Sequence, residues 1–243
     1  MPGVYLIWLE SPQIAFTAQP GQFVMARCGE ETLLRRPLSI HQLADGAKLA
    51  FLFNVVGKGT HWLAQCQVGD NIDLLGPLGN GYSIKSSSHK LLLLAGGIGI
   101  APLCFLAQQA LKQGCSVRLL LGASTATQLY PSHLLPPEAK LVITTEDGTA
   151  DKKGMITDLL PDFIDWADQI FACGPTLMYR AMADQNQQLL KAKPVQVSLE
   201  VRMGCGRGVC YGCTLKTKSG LKQVCTDGPI FALDDVLWDE LSY

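Results

Sequence analysis

Along the first 86 residues the apolar positions come in short runs broken by turn signals. The runs are Gln22–Arg27, Leu38–Leu43, Lys48–Val56 and Asn71–Leu75, and Pro20-Gly21, Asp45-Gly46, Gly69-Asp70 and Gly76-Pro77 punctuate them. Short strands set apart by glycine and proline turns predict a small antiparallel barrel over residues 1–86. Ser86-Ser87-Ser88 reads as a linker, and beyond it the period changes. Lys90–Ala95 is a leucine-rich buried-strand pattern, followed by the turn Gly96-Gly97-Ile98-Gly99-Ile100-Ala101-Pro102 and an apolar helix from about Leu103 to Gln113. Further strands are predicted at Val117–Gly122, Lys140–Thr144 and Gln169–Ala172, and a helix over Thr176–Lys191. Alternating strands and helices predict a parallel sheet with helices on both faces over residues 87–199. The remaining residues, 200–243, have few apolar positions and are expected to lean on a bound metal. The predicted fold class is an antiparallel β barrel, then an α/β unit, then a small metal-binding segment.

Composition narrows the function classes. A chain of 243 residues that is 48% hydrophobic and 17% charged can bury one large core, or two modest cores and an appendage. A formal net charge of -1 with no Lys/Arg block argues against nucleic acid or an anionic membrane as partner. The uncharged stretch Leu91–Ala107 is too short, and too interrupted by Gly96, Gly97, Gly99 and Pro102, to span a bilayer. Residues 1–10 lack a basic n-region, a sufficient apolar h-region and a small-residue cleavage site, so the chain is expected in the cytoplasm. So few charges also lead us to expect apolar surface covered by a permanent partner.

The candidate chemistry sits in three places. Cys205, Cys210, Cys213 and Cys225 are spaced C-x4-C-x2-C-x11-C in a glycine-rich stretch. Three thiolates crowded together and a fourth returning from a short segment can surround two irons and two sulfides, as in a plant-type [2Fe–2S] cluster. Gly204, Gly206, Gly208 and Gly212 let the backbone fold tightly around that core. A zinc site is the alternative, although zinc knuckles use two separated C-x2-C pairs; a disulfide cluster would need an oxidising compartment. The glycine turn at 96–102 follows a strand and opens a helix, a context in which phosphate approaches backbone amides. Cys173-Gly174-Pro175 ends a later strand of the same sheet, where open parallel sheets bind ligands. Arg36-Pro37-Leu38-Ser39 ends a barrel strand, where a guanidinium can clamp a pyrophosphate and a hydroxyl can reach a planar heterocycle.

Taken in order, these motifs, together with Gly57-Lys58-Gly59-Thr60, Gly76-Pro77-Leu78-Gly79 and Glu200-Val201-Arg202-Met203-Gly204-Cys205, make essentially the whole chain resemble the ferredoxin-reductase-like flavoproteins. Within that family the resemblance is closest to the electron-transfer subunits of NAD-dependent, type B dihydroorotate dehydrogenases. The resemblance implies FAD on the barrel, held by Arg36, Pro37, Leu38, Ser39, Leu52, Phe53, Asn54, Gly59 and Thr60. It implies NAD(H) on the second unit, facing Gly97, Gly99, Cys173 and Gly174, and a [2Fe–2S] cluster on the four cysteines. Many relatives carry arginine where this chain has Asn54, so a charged cofactor contact is missing here. Relatives serving sulfide dehydrogenase or a ferredoxin transhydrogenase often carry Asp at the first ligand position, and Cys205 favours the dihydroorotate branch.

The implied activity is a relay between NAD(H), FAD, the cluster and the FMN of a catalytic dihydroorotate dehydrogenase subunit, in a heterotetramer of two plus two. A free-standing reductase for ferredoxin or an oxygenase, and a zinc-stabilised binding module, are the alternatives. Cys28, Cys66, Cys104 and Cys115 lack ligand spacing and read as buried thiols. The histidines His41, His61, His89 and His133 form no cluster. After Val117–Leu121 the loop Gly122–Thr127 contains no arginine for a 2′-phosphate, which predicts NAD(H) over NADP(H).

Overall fold

A computed structural model describes residues 1–185, 190 and 193–241. Its strands are β1 (Val4–Glu10), β2 (Phe23–Ala26), β3 (Arg36–Ala44), β4 (Lys48–Asn54), β5 (Leu74–Leu78), β6 (Lys90–Gly96), β7 (Ser116–Ala123) and β8 (Lys140–Thr145), then β9 (Lys152–Lys153), β10 (Gln169–Cys173), β11 (Val195–Ser198), β12 (Thr214–Thr217), β13 (Gly220–Gln223) and β14 (Ile230–Ala232). The helices are α1 (Pro12–Ala15), α2 (Lys58–Gln65), α3 (Ile100–Lys112), α4 (Leu160–Phe163) and α5 (Thr176–Gln185). The expected helix over Thr176–Lys191 is seen to Gln185, and 186–189 and 191–192 lie outside the described residues.

The N-terminal unit is a five-stranded antiparallel sheet in the order β1-β4-β3-β2-β5. β3 pairs with β2 through Arg36–Ser39 and with β4 through Ile40–Ala44, so the sheet turns a corner at its middle strand. No ladder joins β5 to β1 among the described residues. Inward side chains Val24, Ala26, Ile40, Leu49, Phe51, Phe53 and Leu63 form its core. β1 was not foreseen, because Val4–Glu10 lies on the edge with Tyr5 and Trp8 half exposed and alternates poorly. β5 also lies later than expected, with Gly76-Pro77 inside the strand rather than in a turn.

The second unit is a seven-stranded sheet in the order β14-β11-β10-β6-β7-β8-β9, parallel except at the β11–β14 pair. Leu91, Leu92, Leu93 and Leu94 are all fully buried because both faces are covered. Leu91 and Leu93 meet α3, while Leu92 and Leu94 join the layer containing α5 residues Met178, Tyr179 and Met182. α3 begins at Ile100, with Pro102 in its first turn, where a missing N–H costs nothing.

The C-terminal segment does not hang on its cysteines alone, contrary to expectation. Its strand β14 extends the parallel sheet, and Leu215, Val224, Phe231, Leu233, Val236 and Trp238 are buried in the same core as Leu92 and Tyr179. It also touches the first unit, where the Asn80 N–H donates to the Gly228 carbonyl at 2.6 Å. The segment therefore bridges both units, and the groove between them is walled by all three parts of the chain.

Candidate functional site

The largest groove at the junction has a volume of about 900 Å³. Arg36, Pro37, Leu38 and Ser39 enter it from β3, Leu52, Phe53 and Asn54 from β4, and Thr60 from α2. β3 and β4 are neighbours in the sheet, which is why Arg36–Ser39 and Leu52–Asn54 share one wall. The opposite wall is Ile98 and Ala101 at the start of α3, with Ser198–Met203 from the strap leading to the cysteines. Ile98 and Ala101 lie inside the glycine turn and Glu200–Met203 inside the stretch before Cys205 that the sequence singled out, but no sequence signal marked Ser198, and that all of them face the Arg36–Ser39 strand end is decided only in space.

Gly59 does not line the groove but shapes it. A Cβ there would lie 2.9 Å from Arg36 Nε, so only glycine lets the guanidinium rest against α2. Arg36 Nη1 donates to the Leu34 carbonyl at 2.6 Å, which holds the charge at the rim. Arg35, also at the groove, is tied instead to the Asp73 carboxylate, and that bond holds the Asp73 carboxyl below its usual range. The Thr60 hydroxyl accepts from the N–H groups of Val56 and Gly57 at 2.9 and 3.2 Å and donates to the Gly57 carbonyl. It therefore sets the entry to α2. A cation beside a helix start and an apolar slot suits a dinucleotide with a pyrophosphate and a flat ring. Glu200 is open to the groove yet enclosed by the surrounding chain, and that desolvation pushes its carboxyl above the usual range.

A second cavity of about 300 Å³ lies at the C-terminal ends of the parallel strands. Gly96 at the end of β6 and Gly97 just after it, Gly122–Ser124 at the end of β7, Glu146 after β8, and Pro175 after β10 line it. Asn54 and Ile98 line both cavities, so the two sites adjoin at those side chains. Of the other residues expected to face a nucleotide, Gly99 stands behind the turn: a Cβ there would overlap the Cys173 carbonyl, so glycine lets the turn pack on β10. Cys173 is buried, its thiol pushed up by desolvation. It lines none of these cavities. Gly174 lies on a smaller neighbouring cavity of about 150 Å³ with Tyr179 and Glu200. There Tyr179 accepts from the Gly174 N–H at 2.9 Å and donates to the Ser198 carbonyl at 2.6 Å.

The four cysteines form the third part. Cys205 and Cys210 face each other, Cys213 and Cys225 do likewise, and Cys205 lies within electrostatic reach of Cys225. The Arg207 N–H donates to Cys205 Sγ at 3.3 Å and the Gly208 N–H to Cys225 Sγ at 3.2 Å. The N–H groups of Arg207, Cys210 and Val209 pull the Cys205 thiol down to about 6, whereas burial and the Cys213 thiol push Cys225 up to about 11. Among the described residues no three His, Cys, Asp or Glu side chains close on a single ion position. Two facing pairs with backbone donors on sulfur fit a two-iron core that takes two thiolates per iron. Gly206, at φ 69, turns this loop onto the barrel, where a Cβ would come 2.6 Å from Met25 Cγ. Met203 and Arg202, just ahead of Cys205, already line the large groove.

A folded-over antiparallel sheet, a parallel sheet with its cavity at the strand ends, and a four-cysteine loop beside both define an oxidoreductase of the ferredoxin-reductase-like class. A family model described as the iron-sulfur cluster binding domain of dihydroorotate dehydrogenase B matches residues 200–237. The chain is 40% identical to the "Dihydroorotate dehydrogenase B (NAD(+)), electron transfer subunit" of Desulforamulus reducens, over 98% of this chain and 94% of that one. It is 36% identical to the protein of the same description from Clostridium acetobutylicum, over 98% and 93%. The chain belongs to the family of dihydroorotate dehydrogenase B electron-transfer subunits. Among solved structures it is similar to an NADH-dependent reduced ferredoxin-NADP oxidoreductase described for flavin-based electron bifurcation. That match has a TM-score of 0.88 and 33% identity, over 98% of this chain and 87% of that one. A ferredoxin NADP+ reductase from Neisseria gonorrhoeae shares the fold at a TM-score of 0.61 and 20% identity, over 80% of this chain and 87% of that one. No helix among the described residues is long and apolar enough to cross a membrane.

Proposed function

We propose that the large groove holds FAD, that the cavity at the strand ends holds NAD(H), and that Cys205, Cys210, Cys213 and Cys225 hold a [2Fe–2S] cluster. On this reading residues 1–86 form the flavin unit, 87–199 the nicotinamide-nucleotide unit and 200–243 the cluster segment. Bound there, FAD supplies the exchange between two-electron hydride chemistry and the one-electron steps of an iron–sulfur centre. The observation that carries the reading is the shared wall: Asn54 and Ile98 line the flavin groove and the nucleotide cavity at once, while Arg202 and Met203 line the groove just before Cys205.

The chain's own residues bind and orient. Arg36 supplies the cation for a pyrophosphate, and Pro37, Leu38 and Ser39 with Leu52, Phe53 and Asn54 form the slot for the flat ring. Gly59 makes room for Arg36, and Thr60 sets the helix start. Gly97 presents its backbone to the nucleotide, and Gly174 anchors the adjoining turn through Tyr179. Gly99 and Cys173 act behind the cavity as packing.

The electrons pass between NAD(H) and the FMN of a catalytic dihydroorotate dehydrogenase subunit, the step of pyrimidine biosynthesis that makes orotate. The assembly proposed is a cytoplasmic heterotetramer of two plus two. Anaerobic purification of the native chain tests it. Expected are one FAD, two irons and two acid-labile sulfides per chain, a co-purifying FMN protein, and dihydroorotate–NAD activity; zinc without sulfide overturns the cluster assignment. A second reading, a subunit serving a ferredoxin–NADP transhydrogenase, is favoured by the TM-score of 0.88 to such an oxidoreductase. Co-purification with a partner that lacks FMN and dihydroorotate activity would select it.

A further inference from the structure

The wall of the nucleotide cavity farthest from α5 is made of two loops zippered together. The Glu146 N–H donates to the Ala123 carbonyl at 3.1 Å and the Asp147 N–H to the Ser124 carbonyl at 3.2 Å. The Ala126 N–H donates to Thr149 Oγ1 at 2.8 Å, and Thr149 Oγ1 in turn donates to Asp147 Oδ1 at 2.7 Å. On this frame Ser124 Oγ donates to Glu146 Oε1 at 3.0 Å, and both side chains line the cavity. Among the described residues no Lys or Arg lines it.

In nucleotide-binding parallel sheets the strand next to the glycine turn ends near the adenosine ribose. An acid placed there accepts from the ribose 2′-hydroxyl, while a cation there takes a 2′-phosphate. Here that strand, β7, runs Gly122-Ala123 into Ser124, which carries no charge. The carboxylate arrives from one strand further on, at the end of β8. The serine ties one carboxylate oxygen and fixes its direction, and an ionised carboxylate keeps acceptor capacity after one such bond. A 2′-phosphate carries about -1.5 to -2 charges at neutral pH and would face this carboxylate with no cation between them.

We propose that Glu146, oriented by Ser124, accepts from the adenosine ribose hydroxyls and sets the choice of NAD(H) over NADP(H). The proposal rests on the reading of this cavity as the nucleotide site. It locates the preference in a residue that the missing arginine of the 122–127 loop does not identify.

The test uses the holo-protein and two readouts. Calorimetric titration compares ADP-ribose with 2′-phospho-ADP-ribose, and steady-state reduction of ferricyanide compares NADH with NADPH. In Glu146→Gln the preference for the unphosphorylated ligand is expected to narrow by about tenfold or more in both readouts, the scale of one charged hydrogen bond. Ser124→Ala should narrow it less, because the carboxylate remains but loses its orientation. An unchanged ratio in Glu146→Gln, including an equal fall for both ligands, overturns the assignment of Glu146. Wild-type protein that binds neither ligand overturns the nucleotide reading itself, and the proposal with it.

Discussion

Tyr130 donates its hydroxyl proton to Nε2 of His41 across 2.8 Å, joining the second unit to the first through two buried side chains. The direction follows from the other ring nitrogen. His41 Nδ1 lies 2.8 Å from the Ala101 carbonyl, which can only accept, so Nδ1 carries the proton and Nε2 is free to receive one. Beside it Gln42 Nε2 donates to the Leu134 carbonyl at 3.2 Å. These contacts pin β3, which carries Arg36–Ser39, to α3, which follows the glycine turn, and so fix the flavin groove against the nucleotide cavity.

Burial holds the His41 imidazole down, from 6.5 to about 4. The folded state refuses a proton that the unfolded chain accepts, so this stability is full above about 6.5 and is lost as pH falls towards 4. The loss is about 3 kcal/mol in all. Urea unfolding of wild type and His41→Gln should show the wild type losing more stability between pH 7 and 5 than the variant. At pH 7, Tyr130→Phe should cost about 1–3 kcal/mol by leaving Nε2 buried without a donor.

Arg36→Ala should weaken FAD retention by about 1.5–3 kcal/mol, or roughly 10- to 100-fold, through loss of a charge-assisted contact. Gly59→Ala should weaken it less, by pushing the guanidinium aside, and Asn54→Arg should leave it equal or tighter. Flavin fluorescence on serial dilution measures all three. Equal retention by wild type and Arg36→Ala would show that the groove holds something else.

Cys210→Ser should lose the cluster's visible absorbance. Because β14 and Trp238 belong to the core shared with the parallel sheet, the loosening should stop at the 204–213 loop and spare the last strand. Hydrogen exchange would reveal it, and early exchange through Ile230–Ala232 would contradict the anchoring seen here.

The cluster loop presents Val209 at 75% and Tyr211 at 70% exposure, on either side of the exposed Cys210. Tyr211 holds φ at 58, a conformation a bulky residue adopts only at a cost of about 1–3 kcal/mol. An aromatic side chain held outward beside an electron-transfer centre suits docking. Tyr211→Asp should weaken association with the catalytic flavoprotein at least tenfold, on the scale of an interface anchor. NADH-driven bleaching of this chain's own FAD should not change. Full dihydroorotate–NAD activity with stoichiometric co-elution would place the docking surface elsewhere.

The cluster spacing, the strand, turn and helix at 90–112, and the Arg36–Ser39 strand end were legible in the amino-acid sequence because each is local chemistry. Ligands a few residues apart must share a loop, and a leucine run before glycines must be a buried strand. β1 escaped because an edge strand with half-exposed aromatics carries little period. What the chain order could not express was which distant segments meet. His41 and Tyr130 are 89 positions apart, and Ser124 and Glu146 follow different strands, β7 and β8. Gly99 looks like a phosphate-turn glycine until the Cys173 carbonyl is seen behind it, and the cysteine segment looks detached until β14 joins the sheet. Spacing along the chain determines what a loop can bind, whereas burial and sheet order decide which side chains that loop will face.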